Sequence, residues 1–204
     1  KPAQNAEMAP SLTLQIIAEI LPPGVVNIIT GSARDIGDTL VSHPLVSTVN
    51  FTGSVAVGQH VMRIASHRLT PVTLELGGND AALVLEDVDL HPETFMKMYM
   101  GAFASSGQIC MAMKRLYVHE SRYDEVVQGM LGACSKAVVG DGLLPETTMG
   151  PVNNAGQLKV VTDMIAEARA KGADVIESGQ IPDEALYQGG GYFQRPILVL
   201  DADQ

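Results

Sequence analysis

An α/β fold with a mostly parallel sheet is predicted by two features of the sequence. Short apolar runs rich in β-branched residues alternate with longer segments whose apolar residues recur at helical spacing. The composition, 46% hydrophobic and 18% charged with 20 glycines among 204 residues, is typical of a folded α/β protein and not of a disordered or fibrous one. We therefore predict a Rossmann-like, doubly wound, mostly parallel sheet in the first part of the chain, followed by a second α/β segment.

The first part of the chain has the order β-α-β-α-β after an amphipathic helix. That helix is predicted over residues 11–21, with Ser11 as its N-cap and Pro22-Pro23-Gly24 as its stop. Strands are then predicted at residues 25–29, 46–51 and 72–76, and helices between them at residues 34–42 and 55–67. Strands separated by helices at short spacing favour a parallel sheet.

The pattern starts again after Gly77-Gly78, which we take as the boundary between two segments, residues 1–76 and 77–204. Strands are predicted at residues 81–85, 115–119, 173–178 and 192–200, and helices at residues 93–104, 121–137 and 154–170. Gly172 is placed to end the last of these helices. The second segment is therefore also predicted to be α/β.

Charge and cysteine content exclude several classes of protein. The formal net charge of −10 argues against a nucleic-acid partner. No apolar run approaches the roughly 20 residues of a membrane-spanning helix, and the first residues, KPAQNAEMAP, contain no signal-peptide core. Two cysteines do not make a disulfide framework in a chain of this length. We expect a cytoplasmic protein, and from its ends, Lys1 and LVLDADQ, a piece of a longer one.

The segment FTGSVAVG, residues 51–58, joins a predicted strand to a predicted helix. Free N–H groups and the positive dipole end of a helix attract phosphate, and Gly53 lets a ligand approach the backbone closely. Ser54 adds a hydroxyl donor, and Gly58 permits close packing of the helix on a strand. The spacing is not G-x-G-x-x-G, so the alternative of a tight β-α turn that simply needs glycine stays open.

The segment TLELGGND places Glu75 between two leucines at the end of a predicted buried strand. Because carboxylates are seldom buried without a partner, a glutamate here is either a salt-bridged structural residue or a general base. Gly77-Gly78 lets the chain turn and leaves space beside the carboxylate.

The segment SSGQICMAMKR surrounds Cys110 with small residues that leave room for a ligand. We expect a loop-to-helix junction here, where backbone N–H groups stabilise a thiolate, although a lone cysteine is also a common core residue. Cys134 lies at helical spacing among apolar residues and is predicted to be a packing residue. The five histidines show no metal-ligand spacing, so no metal site is predicted.

In this order, the motifs FTGSxxxG, ELGGN and GQxCxAxxR resemble the NAD(P)-dependent aldehyde dehydrogenase superfamily. The opening KPAQ, the segment PPGVVNIITGS and the late GYFQRPILV fit the same family in the same order, so the resemblance covers essentially the whole chain. It implies a dehydrogenase that oxidises a small-molecule aldehyde to a carboxylic acid with NAD or NADP, as a homodimer or homotetramer when complete. It also implies that residues 1–76 belong to the NAD(P)-binding domain and residues 77–204 to the catalytic domain.

The resemblance assigns catalytic roles to two residues. Cys110 is implied to be the nucleophile that forms a thiohemiacetal and then a thioester, with its own backbone N–H as an oxyanion donor. Glu75 is implied to be the general base that activates water to hydrolyse the thioester.

The resemblance also assigns cofactor-binding residues. Lys1 and Gln4 are implied to lie by the adenosine ribose, and Thr52 and Leu76 near the nicotinamide. The pyrophosphate would meet Gly53 and Ser54, with Gly58 packed beneath. The family often has a glutamate where this chain has Gln4, and the loss of that negative charge predicts that NADP is tolerated or preferred.

Other parts of the family's site, an oxyanion asparagine and a glutamate that holds the nicotinamide ribose, fall outside residues 1–204, so we expect this piece alone to be inactive. Two alternatives remain open: a CoA-acylating aldehyde dehydrogenase, and a non-catalytic homologue of the same fold.

Overall fold

The computed structural model describes residues 1–201. The chain forms two compact units, Lys1–Gly77 and a second one that starts at Gly78. The first unit contains helix α1 (Met8–Ile20), a π-helical turn (Ala33–Gly37) that continues into α2 (Asp38–Ser42), strand β1 (Val49–Gly53), α3 (Val55–Ser66) and β2 (Val72–Leu76). The second contains β3 (Asp80–Val84), α4 (Pro92–Phe103), β4 (Met113–Val118), α5 (Tyr123–Cys134), α6 (Ala155–Ala170), β5 (Asp174–Glu177), α7 (Glu184–Gln188) and β6 (Ile197–Leu200).

The strands described by the structure form three two-stranded sheets. The pairs β1–β2 and β3–β4 are parallel, and β5–β6 is antiparallel. Because a helix connects the two strands of each parallel pair, as parallel pairing requires, the predicted α/β class with parallel strands is confirmed.

The other predicted strands form with bounds shifted by a few residues at most, but one predicted strand does not form and another is much shorter. Residues 25–29 form no strand in the described chain, because their β-branched residues have no strand beside them to pair with. The strand predicted over residues 192–200 is reduced to β6, because Pro196 has no N–H to donate and the Tyr192 carbonyl bonds the N–H of Val152 instead, at 2.7 Å.

The first unit buries few residues, and α3 packs against β1 and β2 with three buried residues, Gly58, Val61 and Ala65. The second unit has three apolar clusters. Tyr99 and Cys134 lie in the first, Val126 and Met130 in the second, and Val139 in the third. Residues of α4 and α5 pack against the β3–β4 pair in one apolar cluster. The segment between α4 and β4 is therefore anchored at both ends by packed elements.

Candidate functional site

The N-terminal turn of α3 follows directly on the end of β1. Ser54 is its N-cap, and the Ser54 Oγ accepts a hydrogen bond from the Val57 N–H at 3.4 Å. Helix geometry leaves the N–H groups of Val55 and Ala56 without an intrahelical acceptor. The whole turn is exposed, so these N–H groups and the positive end of the helix can receive an anion.

Gly58 lies where α3 meets β2. A Cβ at this position would come within 2.7 Å of the Leu76 Cδ2 atom and 3.6 Å of the Leu74 Cδ1 atom. The predicted packing of this glycine against a strand is therefore confirmed. At Gly53 a Cβ would come within 2.5 Å of the Phe51 ring, so the strand end is also closely packed.

The carboxyl ends of β1 and β2 lie side by side. Thr52 is in register with Glu75, and Gly53 is in register with Leu76. Because only Ser54 separates the end of β1 from the start of α3, these four residues and Ser54 meet at one edge of the first unit, where parallel α/β sheets commonly bind ligands.

The prediction that Glu75 is buried is wrong. Side chains alternate across a strand, and Leu74 and Leu76 occupy the face that packs, half-buried, while Glu75 points to the other face and is exposed. Its carboxylate is therefore open to water in this unit.

Lys1 and Gln4 are exposed at the start of the same unit. The Lys1 Nζ donates a hydrogen bond to the Pro2 carbonyl at 2.9 Å, and Gln4 begins a short 3₁₀ turn, Gln4–Ala6. Their role at a ribose stays a prediction.

Cys110 is exposed in a turn between residues 104–107, which follow α4, and β4. The turn is closed by a 3.1 Å hydrogen bond from the Ala112 N–H to the Ile109 carbonyl. The predicted loop-to-helix junction is wrong, because the residues after the turn pair with β3 as a strand. No helix dipole is therefore aimed at this thiol from the following element.

The backbone before Cys110 is left-handed over three consecutive residues. The φ values of Ser105, Ser106 and Gly107 are 51°, 58° and 72°. For residues other than glycine this conformation costs about 1–2 kcal/mol each, so the two serines need compensating contacts.

Those contacts join the left-handed turn to a neighbouring loop. The Ser106 Oγ donates to the Gly150 carbonyl at 2.8 Å. The Gln108 Nε2 donates to the Ser105 carbonyl at 3.1 Å, and its Oε1 accepts from the Asn153 N–H at 2.8 Å. Gln108 thus uses both ends of its amide to hold the turn.

Residues of the ELGGN motif lie against the Cys110 turn inside the second unit. A Cβ at Gly78 would come within 3.3 Å of the Cys110 carbonyl oxygen. Arg115 donates to the Asn79 carbonyl from both Nε and Nη2, at 3.0 and 2.7 Å. Two segments that are distant in sequence are therefore in contact at the backbone of this turn.

Cys134 has the opposite surroundings. It is fully buried in α5 beside Tyr99, and burial raises its thiol pKa from 9.0 to about 11. Its prediction as a packing residue is confirmed, since a thiol kept protonated is a poor nucleophile.

Sequence reasoning missed the residues that hold the Cys110 turn. Gln108 and Arg115 stand inside the quoted motif, so their presence beside the cysteine could have suggested a structural role. Asn153 and the left-handed serines carry no signal in the sequence, because serine is ordinarily found with negative φ.

Within 1–201, no cluster of three or more histidine, cysteine or acidic side chains is arranged to hold a metal ion. In the same range, no helix combines the length and apolar character that a bilayer crossing requires.

Comparisons with known proteins agree with the motifs. The profile of the "Aldehyde dehydrogenase family" matches residues 1–204. A probable aldehyde dehydrogenase from Pseudomonas sp is 42% identical over 187 residues, which are 92% of this chain and 37% of that protein. Peroxisomal aminoaldehyde dehydrogenase 1 from Pisum sativum is 36% identical, over 98% of this chain and 39% of that protein.

Solved structures show the same similarity. Betaine aldehyde dehydrogenase from Staphylococcus aureus, crystallised with NAD⁺, superposes with a TM-score of 0.90 at 27% identity, over 99% of this chain and 40% of that one. An NADP-dependent enzyme from E. coli gives a TM-score of 0.85 at 34% identity, over 95% of this chain and 39% of that one. The chain spans about two-fifths of the length of the curated relatives it matches. Across that span, the chain belongs to the aldehyde dehydrogenase family.

Proposed function

We propose that the whole protein oxidises an aldehyde to a carboxylic acid, with NAD or NADP as oxidant and Cys110 as the covalent nucleophile. The observation that supports this most is that an exposed thiol lies on a turn whose conformation is held by side-chain hydrogen bonds. Cys110 is solvent-accessible, and its neighbours are held by hydrogen bonds to the 150–153 loop and to Asn79. A packing cysteine needs neither solvent access nor such a turn; Cys134, for example, is fully buried within a helix.

The residues of the first unit fit a dinucleotide. The exposed N-terminal turn of α3 offers the Val55 and Ala56 N–H groups and the Ser54 hydroxyl to a pyrophosphate. Thr52 and Leu76, at the adjoining strand ends, are proposed to border the nicotinamide, and Lys1 and Gln4 the ribose. When bound, the nicotinamide cofactor supplies a hydride acceptor.

In the proposed reaction, the Cys110 thiolate attacks the aldehyde carbon and forms a C–S bond. The Cys110 backbone N–H donates to the resulting oxyanion. Loss of hydride from the carbon converts this thiohemiacetal into a thioester. Glu75 then takes a proton from water, which attacks the thioester, releases the carboxylic acid and frees the thiolate.

The test is the steady-state rate of the whole protein with a panel of aldehydes, compared between the wild type and two single variants. Cys110→Ala is expected to lose at least about 10³-fold in kcat, and Cys134→Ala is expected to retain activity. A Cys110→Ala variant with near wild-type kcat refutes the proposal.

A CoA-acylating enzyme is the second candidate, since it shares the thioester and differs in the acceptor. Glu75→Gln separates the two, because transfer to CoA does not need a base to activate water. We expect this variant to be slow with water; retained turnover with CoA, and none with water, would favour the CoA-acylating reaction. A protein with no aldehyde turnover and an unreactive Cys110 would instead be a non-catalytic homologue.

Cofactor choice is proposed to follow Gln4, whose neutral amide does not repel a 2′-phosphate. The ratio of kcat/KM for NADP and NAD is expected to fall in Gln4→Glu. A large preference for NAD in the wild type contradicts the proposal. A cytoplasmic location and a homodimer or homotetramer stay predictions, and relatives are known in peroxisomes and chloroplasts.

A further inference from the structure

A β-bulge lies immediately after the Cys110 turn. Along the β3–β4 pair, Asp80 is in register with Met113, but the next residue, Ala81, is in register with Arg115. Lys114 is therefore the extra residue on β4. A bulge redirects the side chain of the extra residue, and such irregularities are frequent beside functional sites.

The redirected Lys114 side chain reaches back across the turn. Its Nζ donates a hydrogen bond to the carbonyl of Gly107. This contact joins the two ends of an eight-residue segment, 107–114, that has Cys110 near its middle. The Cys110 turn is thus closed by a charged hydrogen bond as well as by the Ala112–Ile109 backbone bond.

The acceptor of this bond is part of the left-handed turn. Gly107 has a φ of 72°, and it follows the two left-handed serines. Upstream of the thiol, Ser106 and Gln108 hold this turn to the 150–153 loop. Lys114 holds the same turn from the downstream side, so displacement of its ammonium group would release one end of the segment that carries the thiol.

We propose that Lys114 is a positioning residue for the Cys110 nucleophile, acting through the Gly107 carbonyl. This inference rests on the proposed function, because it presumes that Cys110 carries the chemistry. A misplaced nucleophile lowers the rate of attack without changing how the cofactor binds. An electrostatic role of the same ammonium group would instead change the pH at which the thiol becomes reactive.

The experiment compares the whole protein with Lys114→Met, which keeps an unbranched side chain as far as Cε and removes the donor, and with Lys114→Arg, which keeps a charged donor. We expect Lys114→Met to lower kcat by about tenfold and to leave KM for NAD(P) within about twofold of wild type. Lys114→Arg is expected to restore kcat to within about threefold of wild type. The midpoint pH of Cys110 alkylation by iodoacetamide should be the same in all three proteins.

Several results would overturn the inference: an unchanged kcat in Lys114→Met, no recovery in Lys114→Arg, or a shifted alkylation midpoint. Thermal denaturation shows whether each variant is folded, and Lys114→Leu, which also lacks a donor, replaces the methionine variant if that one is not. Cys110→Ala separates this inference from the proposed function. If Cys110→Ala is inactive and Lys114→Met is fully active, only the role of Lys114 fails; if Cys110→Ala is active, the nucleophile itself is wrong.

Discussion

The turn around Cys110 and the helix around Cys134 place the same side chain in opposite environments. Cys134 is fully buried, and desolvation raises its pKa to about 11. Cys110 is exposed on a turn whose backbone is left-handed and held by side-chain hydrogen bonds. Residue type therefore does not distinguish a nucleophile from a packing residue; solvent access and the structure built around the thiol do.

The largest expected difference between the two thiols is their rate of alkylation. In the native protein at pH 7.5, we expect iodoacetamide to label Cys110 at least about 100-fold faster than Cys134, because the buried thiol is both inaccessible and protonated. Peptide mapping by mass spectrometry measures both sites in one sample. In denaturant the two alkylation rates should become similar. Comparable rates in the native state would contradict the claim that Cys110 is accessible and Cys134 is not.

The next effect is on stability at high pH. The folded-state pKa of Cys134 is raised, so unfolding releases a thiol that ionises more easily. Its contribution to stability is present in full below about pH 9 and is lost as the pH rises through about 11. A rise in the pKa from 9.0 to about 11 corresponds to an effect on the order of 3 kcal/mol.

Urea denaturation at pH 8 and pH 10.5 measures this effect. The free energy of unfolding should fall less between these pH values in Cys134→Ala than in wild type. Cys110→Ala is the matched control, and it should keep the wild-type pH dependence. Tyr99, whose pKa is raised by burial and by the neighbouring Cys134, contributes to the fall in the wild type and in both variants. An unchanged slope in Cys134→Ala refutes the prediction.

The smallest expected effect comes from the Gly77-Gly78 pair, which offers a matched comparison beside the Cys110 turn. A Cβ at Gly78 would meet the Asp80 Oδ1 atom at 2.5 Å and the Cys110 carbonyl at 3.3 Å, whereas one at Gly77 meets nothing within 4 Å. The Asp80 side chain can rotate away from such a Cβ. The Cys110 carbonyl is less free to move, because hydrogen bonds on both sides of it fix the backbone of the turn.

We expect Gly78→Ala to lower the rate of Cys110 alkylation about threefold and Gly77→Ala to leave this rate unchanged. The rates are measured under the same native conditions at pH 7.5. Equal rates in the two variants would show that the contact between Gly78 and the Cys110 carbonyl does not affect the reactivity of the thiol.

Regular elements with complete local signals were predictable from the sequence. Strand β2 forms at the predicted residues, and α3 begins at its predicted first residue because Ser54 caps it. Gly58 packs against Leu76 as its position in the FTGSxxxG motif predicts. In each case the residues that determine the structure are close in sequence.

The failures have a different physical origin. Residues 25–29 have strand composition but no strand partner in the described chain, and pairing is not encoded in one strand alone. Glu75 was expected between two buried leucines, but alternation puts it on the opposite, exposed face. The left-handed serines and the bulge at Lys114 depend on contacts with the 150–153 loop and β3, which are distant in sequence.

The central claim, that Cys110 carries the chemistry, is tested most directly by trapping its acyl adduct. The whole protein with Glu75→Gln, incubated with an aldehyde and NAD(P)⁺ and quenched in acid, should hold an acyl group because hydrolysis of the thioester is slowed. Mass spectrometry of the digested protein is predicted to find that group on the peptide that contains Cys110. An acyl group on Cys134, or active turnover with no adduct on Cys110, would contradict the account.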